Sequence, residues 1–144
     1  MHVLQIMRSK PDHSVVTIAP GATVAEAAKL LSEKRIGAIV VSVDGATVAG
    51  ILSERDIVRE LGRRGAVCLA DPVEAIMTIN PVSCSKDEDS DQVFRKMTDG
   101  RFRHLPVMED GAMIGLISIG DVVKSRLSEL AMEKDALEGM IMGH

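Results

Sequence analysis

Two segments place polar residues at a spacing that could do chemistry. Gly50-Ile51-Leu52-Ser53-Glu54-Arg55-Asp56 and Gly115-Leu116-Ile117-Ser118-Ile119-Gly120-Asp121 both read G-x-x-S-x-x-D, with an apolar strand pattern before the Ser and a helix pattern after it. A helix N-terminus at the carboxyl end of a strand offers unpaired N–H groups and a positive dipole end, which suits a phosphate. A fixed carboxylate beside it can accept two hydrogen bonds from a ribose diol, as in dinucleotide folds. The same spacing also writes a capping box, Ser on the N3 amide and the acid reaching back. Duplication copies caps as readily as sites, so the residues alone leave both readings open. Gly50 and Gly115 permit close backbone approach, or mark a bulge.

Other chemistries find little support. Cys68 and Cys84 stand 16 apart, in neither a C-x-x-C nor a Cys/His ligand pattern, and read as reduced, half-buried small hydrophobes. His2, His13, His104 and His144 are scattered, so no metal site is visible. No Ser or Cys stands beside a base, and no paired acids stand at catalytic spacing outside the repeat described next, so the chain reads as a non-enzyme.

The elements that must position these residues occur twice. Val16–Leu31 lies over Val82–Met97 at an offset of 66, and Gly50–Val58 over Gly115–Val123 at an offset of 65. The leaders repeat too, Ile6-Met7 with Pro11 against Ile76-Met77 with Pro81 at an offset of 70, with a few residues inserted near Asp12–Val15. Each copy opens with a short helix, which Asp71, Pro72 and Glu74 would cap in the second. An extended piece follows, turning at Pro20-Gly21 or Lys86-Asp87. Thr23 with Glu26, or Asp89 with Gln92, then caps an amphipathic helix whose stripe is Val24, Ala27, Ala28, Leu31 or Val93, Phe94, Met97. The acidic run Asp87-Glu88-Asp89 complements that helix dipole. Strands Ile36–Val43 and Thr47–Leu52 are joined at Asp44-Gly45, and their counterparts His104–Met108 and Ala112–Ile117 at Asp110-Gly111. A last helix begins at Ser53 or Ser118.

This pattern gives an α+β chain of two pseudo-twofold-related repeats, each a small mixed sheet with flanking helices. The expected divisions are 1–70, 71–127 and a helical extension 128–144. In that extension Val123, Leu127, Leu130, Lys134, Leu137 and Ile141 are spaced 4, 3, 4, 3, 4, and the helix should cover the module or join two subunits. Met132, Met140 and Met142 read as gap-fillers.

Composition bounds the rest. The 144 residues include two aromatics and no Trp or Tyr, so the core must be aliphatic, with nine Met. At this size roughly two thirds of the unfolded surface is buried, enough for a core without staples. A net charge of -4 and the missing aromatics exclude a general grip on nucleic acid. No apolar run approaches membrane-spanning length, and Met1–Arg8 lack a signal peptide's apolar region, so a cytoplasmic protein is expected.

The doubled unit, the strands Ile36-Gly37-Ala38-Ile39-Val40-Val41 and Arg103-His104-Leu105-Pro106-Val107, and the two G-x-x-S-x-x-D junctions resemble a tandem pair of cystathionine β-synthase (CBS) domains, a Bateman module. The resemblance spans residues 1 to about 127. It implies a regulatory module that binds adenine nucleotides (AMP, ATP or NAD) in two clefts between the repeats, with the motif Asp on the ribose hydroxyls. One cleft would use Asp56 and Ser53, with Ile36, Gly37 and Ala38 against the base and Thr17 or Ile18 at its edge. The other would use Asp121 and Ser118, with Arg101, Arg103 and His104 near phosphate and Pro81, Val82 and Ser83 near the base. The copies differ where Gly37 and Ala38 match Arg103 and His104. Two Arg and a His in an acidic chain make a candidate phosphate clamp or, equally, solvated charges on a strand edge. Arg55 could supply charge to the first cleft or face water, and Lys10 could reach a cleft or be a surface Lys. Gly120 stands where some family members carry a hydroxyl residue. The resemblance also implies a homodimer joined through helices and an unidentified regulated partner. An interaction scaffold with vestigial clefts is the alternative.

Overall fold

Both helix-opening boxes that depend only on local spacing form as expected. The computed structural model describes residues 1–11 and 14–142; Asp12, His13, Gly143 and His144, which bear on the leader insertion and two of the four His, lie outside them. The elements run α1 (Val3–Ser9), β1 (Thr17–Ile18), α2 (Val24–Lys34), β2 (Ala38–Val41), β3 (Gly50–Ser53), α3 (Glu54–Arg64), two 3₁₀ turns (Gly65–Ala70 and Val73–Ala75), β4 (Thr78–Ile79), α4 (Ser90–Gly100), β5 (His104–Glu109), β6 (Ala112–Ser118) and α5 (Ile119–Ile141). Thr23 with Glu26 opens α2, and Asp89 with Gln92 opens α4. The fold is α+β, with a sheet ordered β1-β2-β3-β4 and a two-stranded sheet β5-β6.

The chain divides into two compact units, and these exchange leaders. One unit joins the body of the first repeat to the second leader, over residues 14–82 with 108–114; the other joins the first leader to the body of the second repeat. In the former, β1 runs parallel to β2, while β2, β3 and β4 are antiparallel. Its leader is stitched in by Val24 N–H to the Asp71 carbonyl at 2.9 Å and Val73 N–H to the Ala22 carbonyl at 2.8 Å. The latter repeats the stitch: Ser90 N–H reaches the Met1 carbonyl and Val3 N–H the Glu88 carbonyl, both at 2.9 Å. Sequence boundaries at 70 and 71 therefore mark the repeat, whereas the packing pairs each body with the leader of the other copy.

The two cores are the same core written twice. Val73, Ile76, Ala27, Leu31, Ile39, Val41, Leu52 and Ile57 fill one. Val3, Ile6, Val93, Met97, Leu105, Val107, Ile117 and Val122 fill the other, position for position at the offsets read from the sequence. Burying each Val, Leu, Ile or Met side chain among them is worth about 1.5–3 kcal/mol. Substituting Met97 for Leu31, or Ile117 for Leu52, keeps volume and so keeps the packing.

Several expectations change. Asp71 caps no helix, because Arg64 takes its carboxylate and Pro72 leads into a 3₁₀ turn. Phe94 is exposed, and Ser90 completes the buried stripe of α4 with Val93 and Met97. The connection between β2 and β3 spans residues 42–49. There Asp44 accepts the amides of Thr47 and Ala46 and the Thr47 and Ser42 hydroxyls, which holds its carboxyl down at about 2. The Asp110-Gly111 turn between β5 and β6 does form tightly, with φ of +50° and +80°. The C-terminal segment continues α5 without a break; Glu129 takes the Met1 amino group at 2.7 Å, while Leu127, Leu130, Leu137 and Ile141 are exposed.

The motif glycines are close-approach positions, and what approaches is the leader. A Cβ on Gly50 would sit 2.6 Å from Met77 Sδ and 2.7 Å from the Thr78 carbonyl oxygen; on Gly115 it would meet Met7 Cε at 2.5 Å. Rigid backbone opposes the first and a flexible side-chain end the second. Gly50→Ala should therefore cost about 1–3 kcal/mol, and Gly115→Ala clearly less. Thermal unfolding of both variants checks this; equal losses would contradict it.

Candidate functional site

Each unit ends a helix, reverses, and delivers a strand beside the N-terminus of the next helix. In the first body, α2 stops at Arg35, whose left-handed conformation (φ +54°) turns the chain into Ile36 and Gly37. The Gly37 carbonyl accepts the Glu54 amide at 3.0 Å, and Ala38 pairs with Ser53 across β2 and β3. In the second body Arg101 (φ +58°) ends α4, and the Arg103 carbonyl accepts the Ile119 amide at 2.8 Å. The same backbone cradle thus precedes both Ser–Asp pairs.

Both pairs are closed capping boxes. Ser53 Oγ accepts the Asp56 amide at 3.2 Å, while Asp56 Oδ2 accepts the Ser53 N–H at 2.9 Å and its hydroxyl at 3.1 Å. Ser118 Oγ accepts the Asp121 amide at 3.1 Å, and Asp121 Oδ2 accepts the Ser118 N–H at 2.8 Å. Asp56 is buried, with 6% of its surface exposed, an unusual position for a simple cap.

Each carboxylate also holds a cation, and the source differs. Arg59, one turn along α3, donates from Nη2 to Asp56 Oδ1 at 2.8 Å. Arg55, the residue singled out from the sequence, is exposed and does not make that contact. Asp121 is met by Lys10 from the leader: Nζ lies 3.0 Å from Oδ2 and donates to the Leu116 carbonyl at 2.9 Å. Lys10 is therefore an engaged residue rather than a solvated one. Burial pushes the Asp121 carboxyl up, but the Ser118 amide and Lys10 together outweigh it and leave it below the usual carboxylate range.

The remaining expected residues fall around these pairs. Thr17 and Ile18 lie on β1, paired with Val40 and Val41. Ile36 and Gly37 line a groove of about 480 Å³ between α2 and α3, with Arg35, Glu54 and Val58; Asp56 and Thr17 do not border it. Pro81 is half-buried and Val82 exposed, both following β4 in the first unit. Ser83 belongs to the second unit, its carbonyl holding Lys96 Nζ at 3.1 Å. Arg101 and Arg103 are exposed and His104 is half-buried. Burial pushes the Cys84 thiol up to about 12, with Glu88 adding to it, so it stays protonated; Cys68 is buried as well. Among the described residues no cluster of three His, Cys, Asp or Glu could hold a metal, and no helix is long and apolar enough to cross a membrane.

The model of the CBS domain matches residues 3–63 and again 73–128. The chain belongs to the CBS-domain family. Similar solved structures include the CBS-domain protein ATU1752 of Agrobacterium tumefaciens, 43% identical with a TM-score of 0.83, covering 88% of this chain and 99% of that one. The mitochondrial protein CBSX3 of Arabidopsis thaliana is 33% identical over 148 residues, 98% of this chain and 72% of its own length. Against another relative from the same plant, CBSCBSPB2, this CBS pair is 32% identical over 124 residues but spans only 23% of the relative's length. The CBS pair of MJ0100, whose structure is a complex with 5′-methylthioadenosine and S-adenosyl-L-methionine, is 25% identical with a TM-score of 0.77, over 90% of this chain and 98% of that one.

The lowered Asp121 carboxyl fixes a pH dependence. Its contribution to stability is present above the ordinary Asp range and is lost as pH falls through the depressed value. Denaturant unfolding from pH 5 down to 3 should show a steeper loss for wild type than for Asp121→Asn. Parallel curves would mean the ion pair contributes nothing.

Proposed function

We propose that this CBS pair is a regulatory, non-catalytic module that binds an adenine nucleotide of the AMP, ATP or NAD type and reports cellular energy or redox-cofactor state. One observation carries the reading. In both units a Ser–Asp pair is clamped at a strand-to-helix junction, next to a backbone cradle, with the carboxylate fixed in place. Such a carboxylate can accept the two hydroxyls of a ribose, while the positive dipole end of the helix start favours phosphate. The MJ0100 complex supports an adenosine-type ligand for a chain of this fold.

In this reading Ser53 and Asp56 serve one ribose and Ser118 and Asp121 the other. Ile36 and Ala38 supply aliphatic walls for adenine in the first, with Thr17 or Ile18 at its edge, and Ser83 edges the second. Arg101, Arg103 and His104 bring positive charge to phosphate. Gly37 leaves room for the base, and Arg55 remains within one turn of Asp56 as a second charge. Ligand charge would bias the populations of open and closed sites and so signal to a partner protein. The module is assigned to the cytoplasm, although one relative is mitochondrial.

Isothermal titration with AMP, ATP and NAD should give saturable binding, weakened about tenfold or more by Asp56→Asn and by Asp121→Asn, since each removes a charge-assisted acceptor. Absence of heat with all three would overturn the proposal.

The exposed face of α5 favours self-association as part of the same reading. Val123, Leu127, Leu130, Leu137 and Ile141 form an exposed apolar stripe on α5. Light scattering should report a dimer that Leu127→Glu with Leu137→Glu shifts toward monomer. A monomeric wild type would favour the scaffold reading, in which this stripe docks on a different protein.

A further inference from the structure

The two carboxylates are neutralised by cations of different origin, and only one of these arrangements constrains what the site can bind. Arg59 approaches Asp56 from the same helix, with more than half of its side chain exposed, so its guanidinium can swing into water when a ligand takes over the buried carboxylate. The residue three after Asp121 is Lys124, which is exposed and makes no such pair. Asp121 instead depends on Lys10, which comes from the leader and is less than a third exposed. Its ammonium is held by two acceptors, the carboxylate and the Leu116 carbonyl, 106 residues away in sequence. The position that corresponds to Lys10 in the second leader is Asn80, so the first site has no counterpart to this latch.

A diol that bridges both oxygens of Asp121 must occupy, at Oδ2, the position that the ammonium now fills, because the Ser118 N–H already holds the other side of that oxygen. The ligand hydroxyls are neutral, so displacement leaves Lys10 with its charge and without the carboxylate. A neutral adenosine derivative offers that ammonium nothing in return. A ligand carrying phosphate does, because the four-carbon stem lets the ammonium follow the charge, and Arg101 and Arg103 add to the field from the same unit.

Resting on the nucleotide reading above, we propose that Lys10 is the selectivity residue of the Ser118/Asp121 site. It makes that site prefer adenosine ligands with a 5′-phosphate over neutral ones such as 5′-methylthioadenosine. The preference follows from exchange of one anion for another around a single ammonium. It belongs to the second site alone.

Titration calorimetry of wild type, Lys10→Met and Lys10→Arg with AMP and with 5′-methylthioadenosine tests this, with thermal unfolding of each variant to confirm the fold. Wild type should bind AMP more tightly. Lys10→Met should reduce the AMP-to-methylthioadenosine affinity ratio about tenfold, partly through tighter binding of the neutral ligand, and Lys10→Arg should retain most of the ratio. The effect of Lys10→Met should vanish in an Asp121→Asn background, which locates it at the second site. A ratio unchanged within about twofold on Lys10→Met, with both ligands still bound, would overturn the role of Lys10 while leaving the nucleotide reading intact. If neither ligand bound wild type, the nucleotide reading itself would fall and this inference with it.

Discussion

Both candidate sites depend on one reciprocal interaction. A serine at the end of a strand accepts the amide of an aspartate three residues on, and that aspartate accepts the serine's own N–H. The interaction starts a helix by satisfying donors that would otherwise be orphaned, and it also removes the aspartate's freedom to turn away. A plain cap and a ligand-binding carboxylate are therefore the same object seen from two sides. A carboxylate has about four acceptor directions. Asp121 spends two, on Ser118 and Lys10; Asp56 spends three, on the Ser53 N–H and hydroxyl and on Arg59. In the proposed reading, release of one cation from each would let the carboxylate take both ribose hydroxyls while the box itself stays closed.

What was legible in the sequence was what is local or repeated. The boxes at Thr23 and Asp89 follow from spacing over one helical turn and close as expected, and at Ser53 and Ser118, where the spacing left two readings open, the box forms as well. The core was legible through the repeat, since Leu31 and Met97, or Ile57 and Val122, occupy equivalent places. Contacts set by tertiary packing were not. Nothing in a linear pattern says that Met77 will lie on Gly50 or that Lys10 will reach Asp121; Arg59, three residues after Asp56 on one helix, does stand at a local pairing distance that Arg55 does not. Asp71 shows the opposite failure: an acidic residue before Pro with Glu74 behind it reads as a cap, yet Arg64 seven residues earlier claims its carboxylate.

The exchange of leaders gives these contacts a common meaning. Each leader presses a methionine onto the motif glycine of the body it joins, and the first leader adds a cation to the motif aspartate. Occupation of the second site would break the ion pair that holds that leader, so ligand binding and leader packing share a carboxylate. In the first unit Asp56 is neutralised from its own helix, and no such link exists. The near-absence of aromatic side chains fits this economy. Aliphatic walls around a fixed carboxylate can hold one adenine without a stacking shelf, whereas a long single strand of nucleic acid needs several.

In a crystal structure of the protein grown with AMP, the ribose hydroxyls should lie within hydrogen-bonding distance of the Asp56 or Asp121 carboxylate, with Arg59 or Lys10 displaced and the Ser–Asp box still closed. Nucleotide bound elsewhere, with both carboxylates retaining their present cations, would contradict this placement.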